Sequence, residues 1–218
     1  MDDLSRVVST LDRLPVFPLP DAVLFPHMLL PLHVFEPRYR RMVEDCLAGS
    51  RVLAVALLKP GWEARYYGQP PFYPVVGAGV IVHEERLPDG RFNIGLKGVV
   101  RVAVEEELAT DTPYRLVRGR LLPDELPAGG AAALEQELTT LKLCCLRLAA
   151  DLPEANDDLA RFVTRARDPA LLVDVIAAIA IPDAHERQRL LETPSVKLRL
   201  RRVTQAVGDL ILTLDVTR

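Results

Sequence analysis

Valine, leucine and phenylalanine alternate with five prolines between Leu14 and Pro31. Proline fixes the backbone angle φ and has no N–H group, so this stretch is excluded from helix and favours short edge-type strands or extended segments. The pattern changes at Glu36-Pro37, because proline is favoured at the first helical position. Apolar residues then follow helical spacing, which predicts a helix from Arg38 to Leu47. Its predicted inner face consists of Tyr39, Met42, Val43, Cys46 and Leu47.

Four later segments have the composition of strands. They are residues 51–58, 75–84, 91–104 and 114–122. Gly77 and Gly79 lie in the second of them, where they allow a close backbone approach or a bulge. The turn sequence Pro88-Asp89-Gly90 precedes the third, in which apolar and polar residues alternate as in a half-buried strand. Short strands separated by turn residues favour an antiparallel, barrel-like sheet.

The composition changes again at residues 123–130, PDELPAGG, which resemble a linker. Beyond them the apolar residues recur at steps of three and four, as on one face of a helix. One predicted inner face consists of Leu134, Leu138, Leu141, Cys145 and Leu148, and another of Leu172, Val175, Ile176 and Ile179. Asp168-Pro169 and Thr193-Pro194 are expected to open two of the helices. The sequence therefore predicts a β-rich domain over residues 10–123 and a helical bundle over residues 128–218.

Composition and charge limit the classes of function. The net charge is −3, with 49% hydrophobic and 26% charged residues, so bulk electrostatics give no reason to expect nucleic acid or a membrane surface as partner. The three cysteines, Cys46, Cys144 and Cys145, lack the spacing of a disulfide framework or a metal site and suit a reducing compartment. The start, MDDLSRVV, has no signal-peptide pattern, and no apolar run is long enough to cross a bilayer. These observations predict a cytoplasmic protein.

Catalytic motifs are absent from the sequence. It contains neither the nucleotide-binding pattern G-x-x-x-x-G-K-[ST] nor the G-x-S-x-G pattern of serine hydrolases. Ser195 and Lys197 lie two residues apart, so on one helix they point to different faces. His27 and His33 have only Glu36 nearby, which is too few ligands for a metal. We therefore expect no catalytic residues, no cofactor and no metal.

The aromatic residues of the loop 59–74 are the main candidates for a binding site. Exposed aromatics supply large contact areas at interfaces, although aromatics between strands also form lids over a barrel core. Arg38, at the start of the first predicted helix, either pairs with Glu36 or helps to bind a peptide carboxylate. The candidate site consists of Trp62, Tyr66, Tyr67, Phe72 and Arg38. The basic run 197–202 is interpreted as a solvated helix face, with nucleic-acid contact as the less favoured alternative.

Residues 14–43, LPVFPLPDAVLFPHMLLPLHVFEPRYRRMV, resemble the opening of the Lon protease N-terminal domain family. The resemblance continues at lower density through PDGRFNIGLKGVVRV, residues 88–102, and through residues 168–203. It implies an α+β fold, in which a PUA-like antiparallel β pseudo-barrel with a short helix is followed by a C-terminal α-helical bundle.

The family resemblance also implies a function. Members bind protein substrates, so the chain is expected to be a non-catalytic module that recognises unfolded or exposed hydrophobic polypeptide segments, alone or together with a protease or chaperone. Full-length Lon continues into ATPase and protease domains, whereas this chain ends at Arg218, as expected of a stand-alone version. Two alternatives are a small-ligand binder with a pocket lined by Trp62 and Tyr66, and an RNA-binding module that uses the face from Arg199 to Arg202.

Overall fold

The computed structural model describes residues 2–65, 68–151 and 156–216. The chain divides into two compact units, Met1–Pro123 and Asp124–Arg218. The first unit contains α1 (Asp3–Val8), β1 (Leu14–Leu19), β2 (Leu29–Val34), α2 (Pro37–Ala48), β3 (Val52–Leu57), β4 (Val75–Arg86), β5 (Phe92–Leu108) and β6 (Arg115–Leu121). The second contains α3 (Glu135–Asp151), α4 (Asn156–Arg165), α5 (Pro169–Ala180), α6 (Ala184–Leu191) and α7 (Val196–Val216). Short 3₁₀ helices form at Leu11–Arg13, Trp62–Arg65 and Gly130–Leu134.

The strands of the first unit close into a barrel. Their order is β2-β5-β4-β3-β1-β6, and β6 also pairs with β5. The long strand β5 makes this possible, because residues 92–97 pair with β2 while residues 102–108 pair with β6. The predicted α+β fold with an antiparallel barrel is confirmed. One pair differs: β1 and β3 are parallel, as expected when a long crossover, here containing β2 and α2, joins two strands.

The prolines of β1 lie where the strand is paired on one side only. β1 was predicted as an edge-type strand, but it pairs with β6 over residues 14–16 and with β3 over residues 16–19. Pro15 therefore faces a partner on the β6 side alone, and Pro18 on the β3 side alone. Proline has no N–H group to donate to a neighbouring strand. Because β1 pairs with β6 and with β3 over different residues, it can contain two prolines and still be hydrogen-bonded to both strands.

Apolar side chains pack on both faces of β3, so this strand is buried. Leu53 and Val55 belong to a cluster that includes Met42 of α2. Val52 and Ala54 belong to a second cluster, which includes Val7 of α1. The helix α1 was missed by the sequence analysis, yet Val7 is completely buried.

Glycines let the segment between β1 and β2 cross close to the sheet. A Cβ atom on Gly77 would lie 1.9 Å from the carbonyl oxygen of Leu24, and one on Gly98 would lie 2.0 Å from that of Phe25. The close approach predicted at Gly77 is therefore confirmed. The register also shifts between Ala78 and Gly79, as in a β-bulge.

The helices of the second unit pack around α7, which contacts α3 and α5. Asp168 caps α5 as predicted, because its carboxylate accepts a hydrogen bond from the backbone N–H of Ala170 at 2.9 Å. α7 begins at Val196, two residues after Thr193-Pro194. The inner face predicted for α5 is partly wrong: Ile179 is 52% exposed, whereas Asp174 is buried. Nearly every residue of α5 is apolar, so its sequence has little contrast to define a face.

Candidate functional site

An exposed row of side chains lies on β2. Among the described strands β2 pairs only with β5, so no other described strand covers its second edge. Leu30 and Leu32 pack against the core, whereas the alternate residues Leu29, Pro31 and His33 are exposed. Leu29 is 59% exposed.

The row continues into Phe35, which is 57% exposed and whose ring lies 6.2 Å from the ring of His33. We call Leu29, Pro31, His33 and Phe35 together the β2 face. Gly95 lies beside it, since a Cβ there would meet His83 Cβ at 3.3 Å and Leu29 Cδ1 at 3.4 Å. An edge strand whose exposed alternate side chains are apolar, apart from His33, is suited to an extended polypeptide, which can pair its backbone and bury alternate side chains.

Polar groups border the β2 face and hold His33 in place. His33 Nδ1 lies 2.7 Å from Asn93 Oδ1, and His33 Nε2 lies 3.1 Å from Arg91 Nη1. Asn93 in turn donates to Glu85 Oε2 at 2.7 Å. The two histidines considered as metal ligands in the sequence thus have other surroundings: His33 lies in this polar network, and His27 adopts a left-handed backbone with φ of 67°. Within the described residues no group of three or more potential ligands is arranged to hold a metal ion.

A second candidate is a cavity of about 510 Å³ beside Arg38, which we call the Arg38 cavity. Its walls come from the start of α2, the loop at residues 68–70 and the segment 107–115 that joins β5 to β6. Arg38 Nε donates to Glu36 Oε2 at 3.0 Å, so the predicted pair exists, and the guanidinium lies 4.6 Å from the centre of the Tyr39 ring.

Arg115 forms another wall of the Arg38 cavity. Its Nε and Nη2 donate to the two carboxylate oxygens of Glu107 at 2.6 and 2.7 Å, and Nη1 donates to the carbonyl of Pro70 at 2.6 Å. The guanidinium also lies 4.2 Å from the centre of the Phe72 ring. The sequence analysis missed Arg115 and Glu107, because pairs across a hairpin depend on a register that the sequence leaves open.

The candidate residues named from the sequence lie in different settings. Arg38 lines the cavity. Phe72 is half-buried against the core cluster that contains Val7, and it supports Arg115 from behind. Trp62 is half-buried in a 3₁₀ helix. Tyr66 and Tyr67 lie outside the described residues.

Neighbouring charges largely neutralise the basic run of α7. Arg199 is 1% exposed and lies 2.8 Å from Asp124 and 3.2 Å from Asp174. Lys197 and Arg201 both approach Glu137 Oε1, at 3.3 and 3.6 Å. This arrangement does not favour the RNA-binding alternative, since Arg199 points into the protein rather than toward solvent.

Two titratable groups near α2 are shifted toward their neutral forms. Burial, aided by the charge of Asp45, raises the pKa of Cys46 to about 12. Burial and the hydrogen bond that Tyr114 Oη donates to Asp45 at 2.9 Å raise the pKa of Tyr114 to about 12. Neither group is ionised at neutral pH, so Cys46 is poorly suited to act as a nucleophile.

The sequence profile of the ATP-dependent protease La (LON) substrate-binding domain matches residues 13–208. The chain belongs to this family. Lon protease 2 of Herpetosiphon aurantiacus is 30% identical over 219 residues, which cover 99% of this chain and 26% of that protein. Lon protease 2 of Sorangium cellulosum is 30% identical over 210 residues, covering 90% and 24%. The chain therefore spans about a quarter of the length of these Lon proteases.

Solved structures of Lon N-terminal domains share the fold. The N-terminal domain of the Mycobacterium avium complex Lon protease superposes with a TM-score of 0.73 at 20% identity, covering 91% of this chain and 99% of that one. A Lon N-terminal domain protein from Xanthomonas campestris gives a TM-score of 0.61 at 21% identity, covering 88% and 96%. The matched part of Lon is the substrate-binding domain. No described helix is both long and apolar enough to cross a membrane.

Proposed function

We propose that this Lon substrate-binding domain is a non-catalytic module that binds unfolded or exposed hydrophobic segments of other proteins in the cytoplasm. Membership of the family supports the binding of protein substrates in general. The observation that carries the proposal is the β2 face, where Leu29 and Phe35 are each more than half exposed beside a strand edge that no other described strand covers.

The geometry of the β2 face suits an extended apolar segment better than a folded surface. Leu29, Pro31 and His33 recur at every second residue, and an added strand would place its own side chains at the same period. Pro31 has no N–H group, which limits indefinite edge-to-edge pairing between copies of the domain. Asn93, Arg91 and Glu85, which form the hydrogen-bond network around His33, supply polar groups beside the apolar side chains of the β2 face, as in other protein interfaces.

The aromatic loop is proposed as an additional contact region for the same substrate. Trp62, Tyr66, Tyr67 and Phe72 supply its aromatic side chains, and Arg38 lies beside it in the cavity. Replacing both Trp62 and Phe72 by alanine should weaken peptide binding if this region takes part. Unchanged affinity of a folded double variant would remove the loop from the proposal.

The main test is a fluorescence anisotropy titration with a labelled, permanently unfolded polypeptide rich in leucine and phenylalanine. The double variant Leu29→Asp, Phe35→Asp should bind at least tenfold more weakly, since burying one such side chain contributes about 1.5–3 kcal/mol and 1.4 kcal/mol is a factor of ten. Leu143→Asp is the matched control, because Leu143 is 63% exposed on a helix of the second unit. Equal affinities for the double variant and the control would refute the assignment to the β2 face.

A further inference from the structure

The Arg38 cavity contains two arginines whose guanidinium groups are fixed in place. The side chains of Arg38 and Arg115 are only 23% and 14% exposed. Each stacks on an aromatic ring, Tyr39 or Phe72, and each is held by a glutamate. A guanidinium that is already ordered loses little conformational entropy when it binds a ligand, so such groups are prepared for recognition.

The charges around the cavity balance, because each arginine pairs with one glutamate. The described lining contains two arginines and one glutamate, Glu107, while Glu36 holds Arg38 from outside that lining. Arg115 has five N–H groups, and three of them serve the hydrogen bonds to Glu107 and to the carbonyl of Pro70. A planar carboxylate is the group that guanidinium binds with two parallel hydrogen bonds.

Apolar surface lies next to these charges. Pro18, Tyr39, Leu108 and Pro113 also line the cavity. The volume of about 510 Å³ falls within the range of small-ligand pockets and is sufficient for a few residues of a peptide. The site thus combines a place for a carboxylate with contacts for the aliphatic part of a neighbouring residue.

We infer that the Arg38 cavity binds a carboxylate group of the polypeptide substrate, with Arg38 and Arg115 as the recognising residues. This inference rests on the proposed peptide-binding function and adds a second, charge-selective contact to the β2 face. The carboxylate has two sources in a polypeptide, the C-terminal residue and the side chains of aspartate and glutamate. Both present the same planar anion to the two arginines.

Three labelled decapeptides with the same leucine-rich sequence test the inference by anisotropy at pH 7. One ends in a free carboxylate, one in an amide, and one in an amide with glutamate as its penultimate residue. The free acid should bind at least tenfold more tightly than the plain amide, because hydrogen bonds between charged groups are the strongest kind available here. If the glutamate peptide gains as much, the cavity accepts side-chain carboxylates too; if it gains nothing, the cavity selects the chain end. Equal affinity for all three peptides would overturn the inference.

Two variants locate the effect. Arg38→Met should reduce the ratio of free-acid affinity to plain-amide affinity to less than twofold. Arg118→Met is the matched control, since Arg118 lies on the same strand as Arg115 and donates to Glu106 at 2.6 Å outside the described lining of the cavity. A preference that persists in Arg38→Met would place carboxylate recognition elsewhere and contradict the inference.

The two proposals fail in different ways. Arg115→Met also removes bonds to Glu107 and Pro70, so it is interpreted only if its circular dichroism and melting temperature match the wild type. If the plain amide binds the wild type and loses affinity in Leu29→Asp, Phe35→Asp, the β2 face is supported whatever the carboxylate does. If the plain amide binds normally to that double variant, the β2 face fails, while a preference that depends on Arg38 would still support the cavity.

Discussion

Replacing Asp174 by asparagine should destabilise the helical unit more than any exposed charge substitution. Arg199 and Asp174 have side chains that are 1% and 2% exposed and approach to 3.2 Å. Removing one charge leaves the other buried, which in other proteins costs about 3–5 kcal/mol. Arg199 retains Asp124 at 2.8 Å and the carbonyls of Thr193 and Pro194, each at 2.9 Å. We therefore expect a loss of about 3 kcal/mol, at the lower end of that range.

Urea unfolding followed by two probes measures this loss. Trp62 is the only tryptophan in the sequence and lies in the first unit, so its fluorescence follows the barrel, whereas circular dichroism at 222 nm mainly follows the helices. Glu186→Gln is the matched control, because Glu186 pairs with Arg189 at the surface and such pairs contribute less than about 1 kcal/mol.

The double variant Arg199→Met, Asp174→Leu separates a buried-charge effect from a loss of packing. It removes both buried charges, and Asp124, the other partner of Arg199, is 30% exposed and can be hydrated, so the double variant should be less destabilising than Asp174→Asn alone. The reasoning is refuted if Asp174→Asn costs no more than Glu186→Gln. It is also refuted if the double variant is the less stable of the two.

Two further predictions concern glycine and cysteine. Gly77→Ala should lower the free energy of unfolding by more than about 3 kcal/mol, because the new Cβ would lie 1.9 Å from a backbone oxygen. Gly208→Ala should raise the free energy of unfolding by up to about 1 kcal/mol, because its new Cβ would meet no atom within 4 Å. Thermal melts check both. In the native protein at pH 8, Cys46 and Cys145 should react with a thiol reagent far more slowly than in denaturant, since burial raises the pKa of each thiol to about 12. The unfolded chain loses the two thiol protons near pH 9, whereas the native state keeps them until the pH approaches 12. The contribution of the buried neutral thiols to the free energy of unfolding is therefore present below pH 9 and is lost as the pH rises toward 12. Fast labelling of all three native cysteines would contradict the assignment.

Most of the fold could be predicted from the sequence, because the local sequence patterns and the tertiary packing favour the same helices and strands. Glu36-Pro37 predicts the start of α2, and Tyr39, Met42, Val43 and Cys46 are buried as their spacing requires. The strands of the barrel follow from apolar runs and turn residues in the same way. The parallel pairing of β1 with β3 did not follow, since it depends on a long crossover that no local pattern specifies.

Charged residues were the harder part of the prediction. Arg199 lies within a run of basic residues that suggested a solvated face, but it is buried between Asp124 and Asp174. Spacing alone cannot identify these two partners, because Asp174 and Asp124 lie 25 and 75 residues before Arg199 in the sequence. Arg115 was missed for the same reason: its partner Glu107 lies across a hairpin whose register only the folded sheet fixes. Electrostatic pairs that only the folded chain specifies thus limited the interpretation of the basic run on α7 and of the Arg38 cavity.

The barrel can close only when β6 pairs with β1, and β6 is the last strand of its unit to be synthesised. Val16 pairs with Arg115, so about a hundred residues must leave the ribosome before this seam can form. Until then β1 can pair only with β3, and the edge that β6 will cover remains open to other strands. Contacts of such sequence separation slow folding, so the newly made domain is itself, for a time, an unfolded polypeptide with exposed apolar strands. A domain proposed to bind such segments would therefore pass through a stage in which it resembles its own substrate.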